Sequence, residues 1–266
     1  MYWIFNIIMR IAAIVEYLGT DYCGFQIQPN VKTIQQYLEA ALSEVANHNV
    51  KIEAAGRTDA GVHALGQVFH FDTTSVRANH SWIKGVNSLL PKDIVIKWAS
   101  QASDDFHARF CAVRREYQYL LYCSQRRSAI WDKRCGLYPY HINMDTLDLI
   151  LSKFIGTHDF SSFRSSECQS KKPIKEIYEI GYSKKDNFLI FKFVADGFLH
   201  HQIRNMMSVI LDIANEKREI NYIDYLFDVK DRSKASNTFS PNGLYLTNIV
   251  YDERFNIPTL NNKILA

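Results

Sequence analysis

Cysteine is scarce in this 266-residue chain, and its thiols follow no recognisable pattern. No Cys-x-x-Cys pair occurs and no histidine stands at zinc-finger spacing, which argues against a structural zinc site, a redox pair or a disulfide framework. Such thiols are typical of reduced cysteines, so the sequence predicts a cytoplasmic protein. The five residues are Cys23, Cys111, Cys123, Cys135 and Cys168.

Long apolar runs are also missing. No stretch of roughly 18 uninterrupted apolar residues occurs, so the sequence predicts no membrane-spanning helix. The apolar start of the chain lacks a basic leader and is interrupted by Arg10. We therefore expect residues 1–9 to form a short N-terminal extension rather than a signal peptide, with Met9 a possible start.

Charge of either sign is nearly balanced. The chain has 31 Lys+Arg and 28 Asp+Glu, a formal net charge of +3. This value is too small to attract a polyanion through the global field. Any nucleic-acid surface must therefore be local.

The hydrophobic periodicity indicates alternating strands and helices in two similar halves. The first half reads β-α-β-β-α-β, with strands at 11–17, 50–55, 67–72 and 94–98, a helix that begins after a capping box at Thr33 and Gln36, and a helix at 81–90. The second half repeats this order, with strands at 116–123, 174–182, 188–194 and 244–251 and helices at 145–155, 201–215 and 222–227.

This order predicts an α+β protein built from two ferredoxin-like halves, which also describes paired RNA-recognition modules. We place the N-terminal half at 10–109 and the C-terminal half at 110–266. We expect one mixed, mainly antiparallel sheet flanked by helices, with an active-site cleft at the centre. Helix 201–215 is apolar nearly all round, so we expect it to be buried.

The densest local signal is a loop between two strands, Ala55-Gly-Arg-Thr-Asp-Ala-Gly-Val-His63. Its glycines allow the backbone to approach a ligand closely. From the residues alone, the favoured interpretation is that Asp59 hydrogen-bonds its own turn while Arg57 points into solvent. The loop by itself therefore leaves both a structural and a catalytic interpretation open.

This loop resembles the signature loop of the tRNA pseudouridine synthases that act on the anticodon stem-loop. The resemblance runs collinearly from about residue 10 to residue 251, with Leu18 departing from the acidic residue that is usual after the first strand. The other matching segments are Asp105-Phe-His-Ala-Arg-Phe110, Arg114-Arg-Glu-Tyr-Gln-Tyr119, Gly156-Thr-His-Asp-Phe-Ser-Ser-Phe-Arg164, Gly197-Phe-Leu-His-His-Gln-Ile-Arg-Asn205 and Gly243-Leu-Tyr-Leu246.

The resemblance implies the pseudouridine synthase fold and the isomerisation of uridine to pseudouridine at positions 38, 39 and 40 of tRNA. It also implies a homodimer that binds tRNA through both subunits. The reaction involves neither redox change nor net hydrolysis, so we expect no cofactor and no metal. The sequence shows no phosphate-binding glycine loop or metal-ligand cluster that would suggest one.

Three catalytic residues follow from the resemblance: Asp59 as nucleophile on ribose C1′ or uracil C6, Arg204 as its cationic partner, and Tyr117 as the residue that stacks on the uracil and removes the C5 proton. Leu244 would close the pocket with an apolar contact. Periodicity alone allows other roles: Arg204 snorkelling from a buried helix, Tyr117 in the core, and Leu244 as an inward strand residue.

A stacked uridine must be flipped out to reach Asp59, and Arg57 is the candidate to fill the vacated space. Phe106 and His107 combine with Arg109 in the aromatic and cationic mixture that suits looped RNA, although a core Phe beside a surface His is the alternative. The complete set of predicted RNA contacts is Arg57, Arg77, Phe106, His107, Ala108, Arg109, Phe110, Arg126, Cys168, Gln169, Ser170, Lys171 and Lys172.

Two other functions receive little support. His200 and His201 suggest a metal site, but adjacent helical residues should point apart. A glycosidase needs a second carboxylate opposite Asp59, and spacing selects neither Asp72 nor Asp196. A non-catalytic RNA-binding protein remains the main competitor, which the intact Arg57-x-Asp59 loop disfavours.

Overall fold

The computed structural model describes residues 8–168, 170–260 and 264. Contacts divide the chain into two compact units: Met1–Val113 with Leu246–Ala266, and Arg114–Tyr245. The domain halves expected at 10–109 and 110–266 stay a prediction. Residues 1–7 of the expected N-terminal extension lie outside the described residues.

The first unit is built on an antiparallel sheet with one long helix, α1 (Ile34–Ala46). Its strands are β1 (Met9–Tyr17), β2 (Glu53–Ala54), β3 (His63–Thr73) and β4 (Ile94–Ala102). β1 lies between β3 and β4, and β2 pairs with β3. β1 is apolar at almost every position and buried from Ile11 to Val15, and because successive side chains point to opposite faces, both faces of this strand are covered.

Helix α1 begins where the sequence predicts, but without the predicted capping box. Thr33 is the N-cap residue, yet its side chain makes no cap hydrogen bond. Its hydroxyl is buried and has no hydrogen-bond partner among the described residues. Apolar contacts of Ile34, Leu38 and Leu42 therefore fix this helix rather than the cap. The predicted helix 81–90 is present as a helical segment over residues 79–87, whose middle part, Ser81–Gly85, is a π-helical turn.

The second unit combines a sheet with three helices. The strands are β5 (Ala112–Cys123), β6 (Gly136–Tyr138), β7 (Gly156–Asp159), β8 (Ile174–Lys185) and β9 (Phe188–Ala195), and the helices are α2 (Leu147–Ser152), α3 (Gln202–Ala214) and α4 (Tyr222–Val229). The strand order is β5-β9-β8-β7 with antiparallel pairing, and β6 pairs parallel with β5. A last strand, β10 (Leu244–Tyr251), runs from the second unit into the first, where it lies beside β3.

The predicted α+β class, with a mainly antiparallel arrangement of strands, is confirmed. The prediction that helix 201–215 is buried also holds, because ten of the 13 residues of α3 are buried. The three others are Arg204, Ser208 and Asp212, which are spaced by four and form one polar stripe. No helix in the described part of the chain has the length and apolar content to cross a membrane.

Candidate active site

The loop that carries Asp59 is held at both ends. The Ala55 N–H donates to the Val68 carbonyl, and the Gln67 side chain donates to the Gly56 carbonyl at 2.8 Å. The turn itself is closed by the Val62 N–H, which donates to the backbone carbonyl of Asp59 at 3.1 Å. Any residue can supply a backbone carbonyl, so this turn does not require a carboxylate at position 59.

The connection between β1 and α1 supports the same loop from one side. The Phe25 N–H donates to the Thr58 carbonyl at 3.1 Å, and the buried hydroxyls of Tyr17 and Thr58 are hydrogen-bonded at 2.8 Å. The Gly19 N–H donates to Nδ1 of His63 at 3.0 Å. Asp59 is half-buried on this base, whereas Arg57 beside it is exposed. The loop is thus fixed in place while it presents two charged side chains.

Gly24 permits the close approach of these two backbones. Its φ of +84° lies in the left-handed region, and a Cβ there would stand 2.7 Å from the Thr58 carbonyl oxygen. Gly24 was not among the predicted site residues, because no local pattern in the sequence links it to a loop 35 positions later. Leu18, which stands where the family usually has an acidic residue, donates its backbone N–H to the backbone carbonyl of Asp93.

We predict that Gly24→Ala destabilises the first unit and displaces the Asp59 loop. The backbone strain alone should lower the free energy of unfolding by about 1–3 kcal/mol, and the contact with Thr58 adds to it. Thermal unfolding measures this loss. Gly181→Ala is the matched control, because no atom lies within 4 Å of its added Cβ. Equal stability of the two variants would contradict the role given to Gly24.

Arg204 lies in the first turn of α3, on the polar stripe of that helix. Its Nε donates to the Phe239 carbonyl at 2.8 Å, and the Phe239 N–H donates back to the Arg204 carbonyl at 3.3 Å. The side chain is half-buried and anchored to backbone. This arrangement disfavours the alternative in which Arg204 merely snorkels to the surface.

Tyr117 and Tyr119 share one face of β5 but differ in environment. Tyr119 is fully buried, its hydroxyl donates to the Ser240 carbonyl at 2.8 Å, and burial raises its pKa above the usual range. Tyr117 is half-buried, and its ring lies edge-on to Phe198 with centroids 5.3 Å apart. The core interpretation therefore describes Tyr119 and not Tyr117. Leu244 is 5% exposed, as an inward strand residue would be.

The expectation that His200 and His201 lie on a helix and point apart is wrong. Neither residue is inside the helix, since α3 begins at Gln202, and their rings lie together with centroids 4.0 Å apart. His201 has a φ of +64°, which is rare for a residue with a side chain and is often found at functional sites. Its carbonyl accepts the Asn205 N–H at 2.9 Å, which fixes the start of α3.

The predicted RNA contacts of the first unit separate into buried and exposed residues. Phe106 and Ala108 are 0% exposed, and Phe106 packs edge-on against Tyr251. They are core residues, so we leave both out of the RNA surface proposed below. Phe110 is 76% exposed, with the Arg109 guanidinium 5.7 Å from its ring centroid. His107 is half-buried, and its ring centroid lies 4.3 Å from that of Phe110. Arg77 is exposed.

Most predicted RNA contacts of the second unit are accessible. Arg126, Ser170, Lys171 and Lys172 are exposed and Cys168 is half-buried, while Gln169 lies outside the described residues. Cys168 also lines a polar pocket of about 250 Å³. Three cationic side chains that were not among the predicted contacts also line this pocket: Arg164, Lys230 and Arg232. Arg164 stands in a segment that carries the family resemblance, which could have indicated it.

Known proteins support the family predicted from the sequence. The family model described as tRNA pseudouridine synthase matches residues 13–111 and 150–252. The chain belongs to the tRNA pseudouridine synthase family. Three relatives named tRNA pseudouridine synthase A are those of Nitrosomonas eutropha (44% identical, 95% of this chain and 91% of the relative), Paraburkholderia xenovorans (45%, 94% and 92%) and Shewanella sediminis (41%, 95% and 97%).

Membership of the tRNA pseudouridine synthase family confirms the predicted resemblance and the pseudouridine synthase fold. Asp59 and Arg204 lie within the ranges matched by the family model, and Tyr117 lies between them. The roles of individual residues remain predictions.

Proposed function

We propose that this protein isomerises uridine to pseudouridine at positions 38, 39 and 40 in the anticodon stem and loop of tRNA. The observation that carries the proposal is that the family match spans the loop of Asp59, and that full-length relatives share the name tRNA pseudouridine synthase A. The fixed backbone and half-buried carboxylate of this loop suit a nucleophile.

The reaction breaks the bond between uracil N1 and ribose C1′ and forms a bond between C5 and C1′. Asp59 attacks either C1′ or C6 and holds one fragment covalently while the uracil turns. The proton on C5 then leaves and N1 gains one, so atoms and electrons balance without a co-reactant. We propose accordingly that no cofactor or metal takes part.

Arg204 keeps the nucleophile ionised in this scheme. A pocket that protects a detached uracil from water raises the pKa of a carboxyl group by desolvation, and a nearby cation opposes that rise. A guanidinium is suited to this role because it stays charged and can bind both carboxylate oxygens. Arg204 donates from Nε to the Phe239 carbonyl, which occupies one of the five N–H donors of the guanidinium and restricts the orientation of the Arg204 side chain.

Tyr117 is the proposed general base for the C5 proton, and we predict that Tyr117→Phe lowers the rate of pseudouridine formation by roughly 10²- to 10⁴-fold. tRNA affinity should change little, because the ring that stacks on the uracil is retained. Single-turnover assays with C5-tritiated tRNA measure the release of the proton directly. Tyr122→Phe, half-buried on the same strand, is the control and should keep the wild-type rate. A wild-type rate in Tyr117→Phe would assign proton removal to another group.

The proposed RNA surface consists of exposed cations and aromatics. Arg57 fills the space left by the flipped uridine, since it is exposed two residues before Asp59. Phosphate contacts are supplied by side chains that reach solvent around the rest of the molecule. The proposed phosphate contacts are Arg77, Arg109, Arg126, Lys171 and Lys172, together with Arg164 and Lys230 from the pocket beside Cys168. His107 and Phe110 are the proposed stacking partners of the RNA bases.

We also propose that the protein works in the cytoplasm as a homodimer. Five free thiols, all among the described residues, fit a reducing compartment. A dimer would join basic surfaces that are modest on one chain with a net charge of +3. The mass of the purified protein in solution, alone and with tRNA, tests the dimer: a strict monomer in both samples would exclude it.

A direct assay tests the proposed activity. Purified protein is incubated with uridine-labelled tRNA and no cofactor, and the nucleosides are then separated. The proposal predicts pseudouridine in tRNA. tRNA binding without conversion would favour the non-catalytic RNA-binding protein, and conversion only in messenger or ribosomal RNA would place the enzyme on another substrate.

A further inference from the structure

A buried polar cluster lies directly behind Arg204. Its centre is Asn205, the next residue of α3, which is 0% exposed. The Asn205 side-chain N–H₂ donates to the Phe163 carbonyl at 2.7 Å. Its side-chain oxygen accepts from the Thr238 hydroxyl at 2.7 Å and from Nη2 of Arg232 at 3.0 Å. A buried amide so fully hydrogen-bonded holds its neighbours in one arrangement.

Arg232 connects this cluster to the 235–240 segment, which leads towards β10. Its Nη2 also donates to the Thr238 hydroxyl at 3.1 Å, and its Nη1 donates to the Ala235 carbonyl at 3.2 Å. The guanidinium is half-buried, and burial lowers its pKa from the usual value. One planar group thus contacts both the 235–240 segment and α3, a geometry that the single ammonium of a lysine cannot reproduce.

The same segment holds the Arg204 side chain. Phe239 follows Thr238 immediately, and its carbonyl accepts Nε of Arg204 at 2.8 Å. The position of that carbonyl therefore depends on where Thr238 is fixed. The far end of the segment is held by the Tyr119 hydroxyl, which donates to the Ser240 carbonyl at 2.8 Å. Arg232 and Asn205 set the near end.

We infer that Arg232 is a positioning residue for isomerisation, acting through Asn205 and Thr238 to place the Phe239 carbonyl that orients Arg204. The inference deepens the proposed function and rests on it. It assigns a role to a part of the chain in which sequence patterns indicated none. Arg232 acts on the orientation of Arg204 and makes no contact with the uridine in this account.

Arg232→Lys and Thr238→Val test the inference when the rate of pseudouridine formation and the affinity for tRNA are measured separately. Each variant should lower the single-turnover rate of pseudouridine formation by roughly 10- to 100-fold, because a small misplacement of a catalytic group has an effect of this order. The dissociation constant for tRNA should stay within about twofold, because Arg232→Lys keeps the positive charge and Thr238→Val removes only a hydroxyl that is hydrogen-bonded to Asn205. Thr238→Ser keeps the hydroxyl and should restore most of the rate.

Tyr222→Phe is the matched control. The Tyr222 hydroxyl donates to the Lys234 carbonyl, just before the same segment but outside the cluster around Asn205. This variant should keep the wild-type rate even if its thermal stability falls. Circular dichroism of every variant establishes that it is folded, and Thr238→Val serves if Arg232→Lys does not fold.

Two results would overturn the inference. The first is a loss of thermal stability in Arg232→Lys and Thr238→Val with the single-turnover rate unchanged. The second is weaker tRNA binding in Arg232→Lys with no loss of rate, which would make Arg232 a phosphate contact beside Arg164. Failure of the wild-type protein to form pseudouridine would instead count against the proposed function, so the two failures are distinguishable.

Discussion

Asp59→Asn should abolish pseudouridine formation, with a loss of roughly 10⁴-fold or more in single-turnover rate. A neutral amide is no substitute for the carboxylate nucleophile. The loop should keep its shape, because its turn is closed by the backbone carbonyl of residue 59 and its base by Thr58. The variant should therefore still bind tRNA. Nucleoside analysis measures the loss of product, and filter binding measures tRNA affinity.

Asp21→Asn is the control for this substitution. Asp21 is exposed in the short 3-10 turn that follows β1, close in sequence to the residues that support the Asp59 loop. It should convert tRNA at the wild-type rate. Measurable multiple turnover by Asp59→Asn would remove Asp59 from the role of nucleophile, whereas a loss in both variants would indicate general damage to the first unit.

Arg204→Lys should lower the rate of pseudouridine formation by roughly 100-fold or more, although it preserves the charge. A lysine offers a single point of contact and cannot bind a carboxylate through two nitrogens while it also donates to the Phe239 carbonyl. The loss should appear in the rate constant and not in tRNA affinity. Single-turnover kinetics over a range of enzyme concentrations separates the two.

Arg218→Lys is the corresponding control, because Arg218 is exposed and its guanidinium lies 4.8 Å from the centroid of the Tyr222 ring. Its rate should match that of the wild-type protein. A wild-type rate in Arg204→Lys would support the alternative in which Arg204 only carries its charge from a buried helix to solvent.

The long elements of the fold could be predicted because each shows its own periodicity. β1, α1, β9 and α3 have continuous apolar faces, and all four are present. The short strands β6 and β7 were missed, since three or four residues carry too little pattern and depend on the neighbouring strands for their hydrogen bonds. The capping box at Thr33 was predicted from residue types that the packing of α1 overrides.

The candidate site could be predicted only in part for a similar reason. A dense local motif indicated Asp59. Its support by Gly24 and the anchoring of Arg204 by Phe239 join residues about 35 positions apart, and spacing gives no sign of either. Phe106 stands three positions before the exposed Arg109, yet Tyr251 and Phe255 pack against its ring and it is 0% exposed. Burial of single residues depends on such distant partners.

A position-resolved pseudouridine map of tRNA tests the central claim most directly. RNA from cells with the intact gene, without it, and with the Asp59→Asn form is compared at every uridine. The account predicts pseudouridine at positions 38, 39 and 40 in the first sample and its loss in the other two. Unchanged modification at these positions without the protein, or full modification by the Asp59→Asn form, would contradict it.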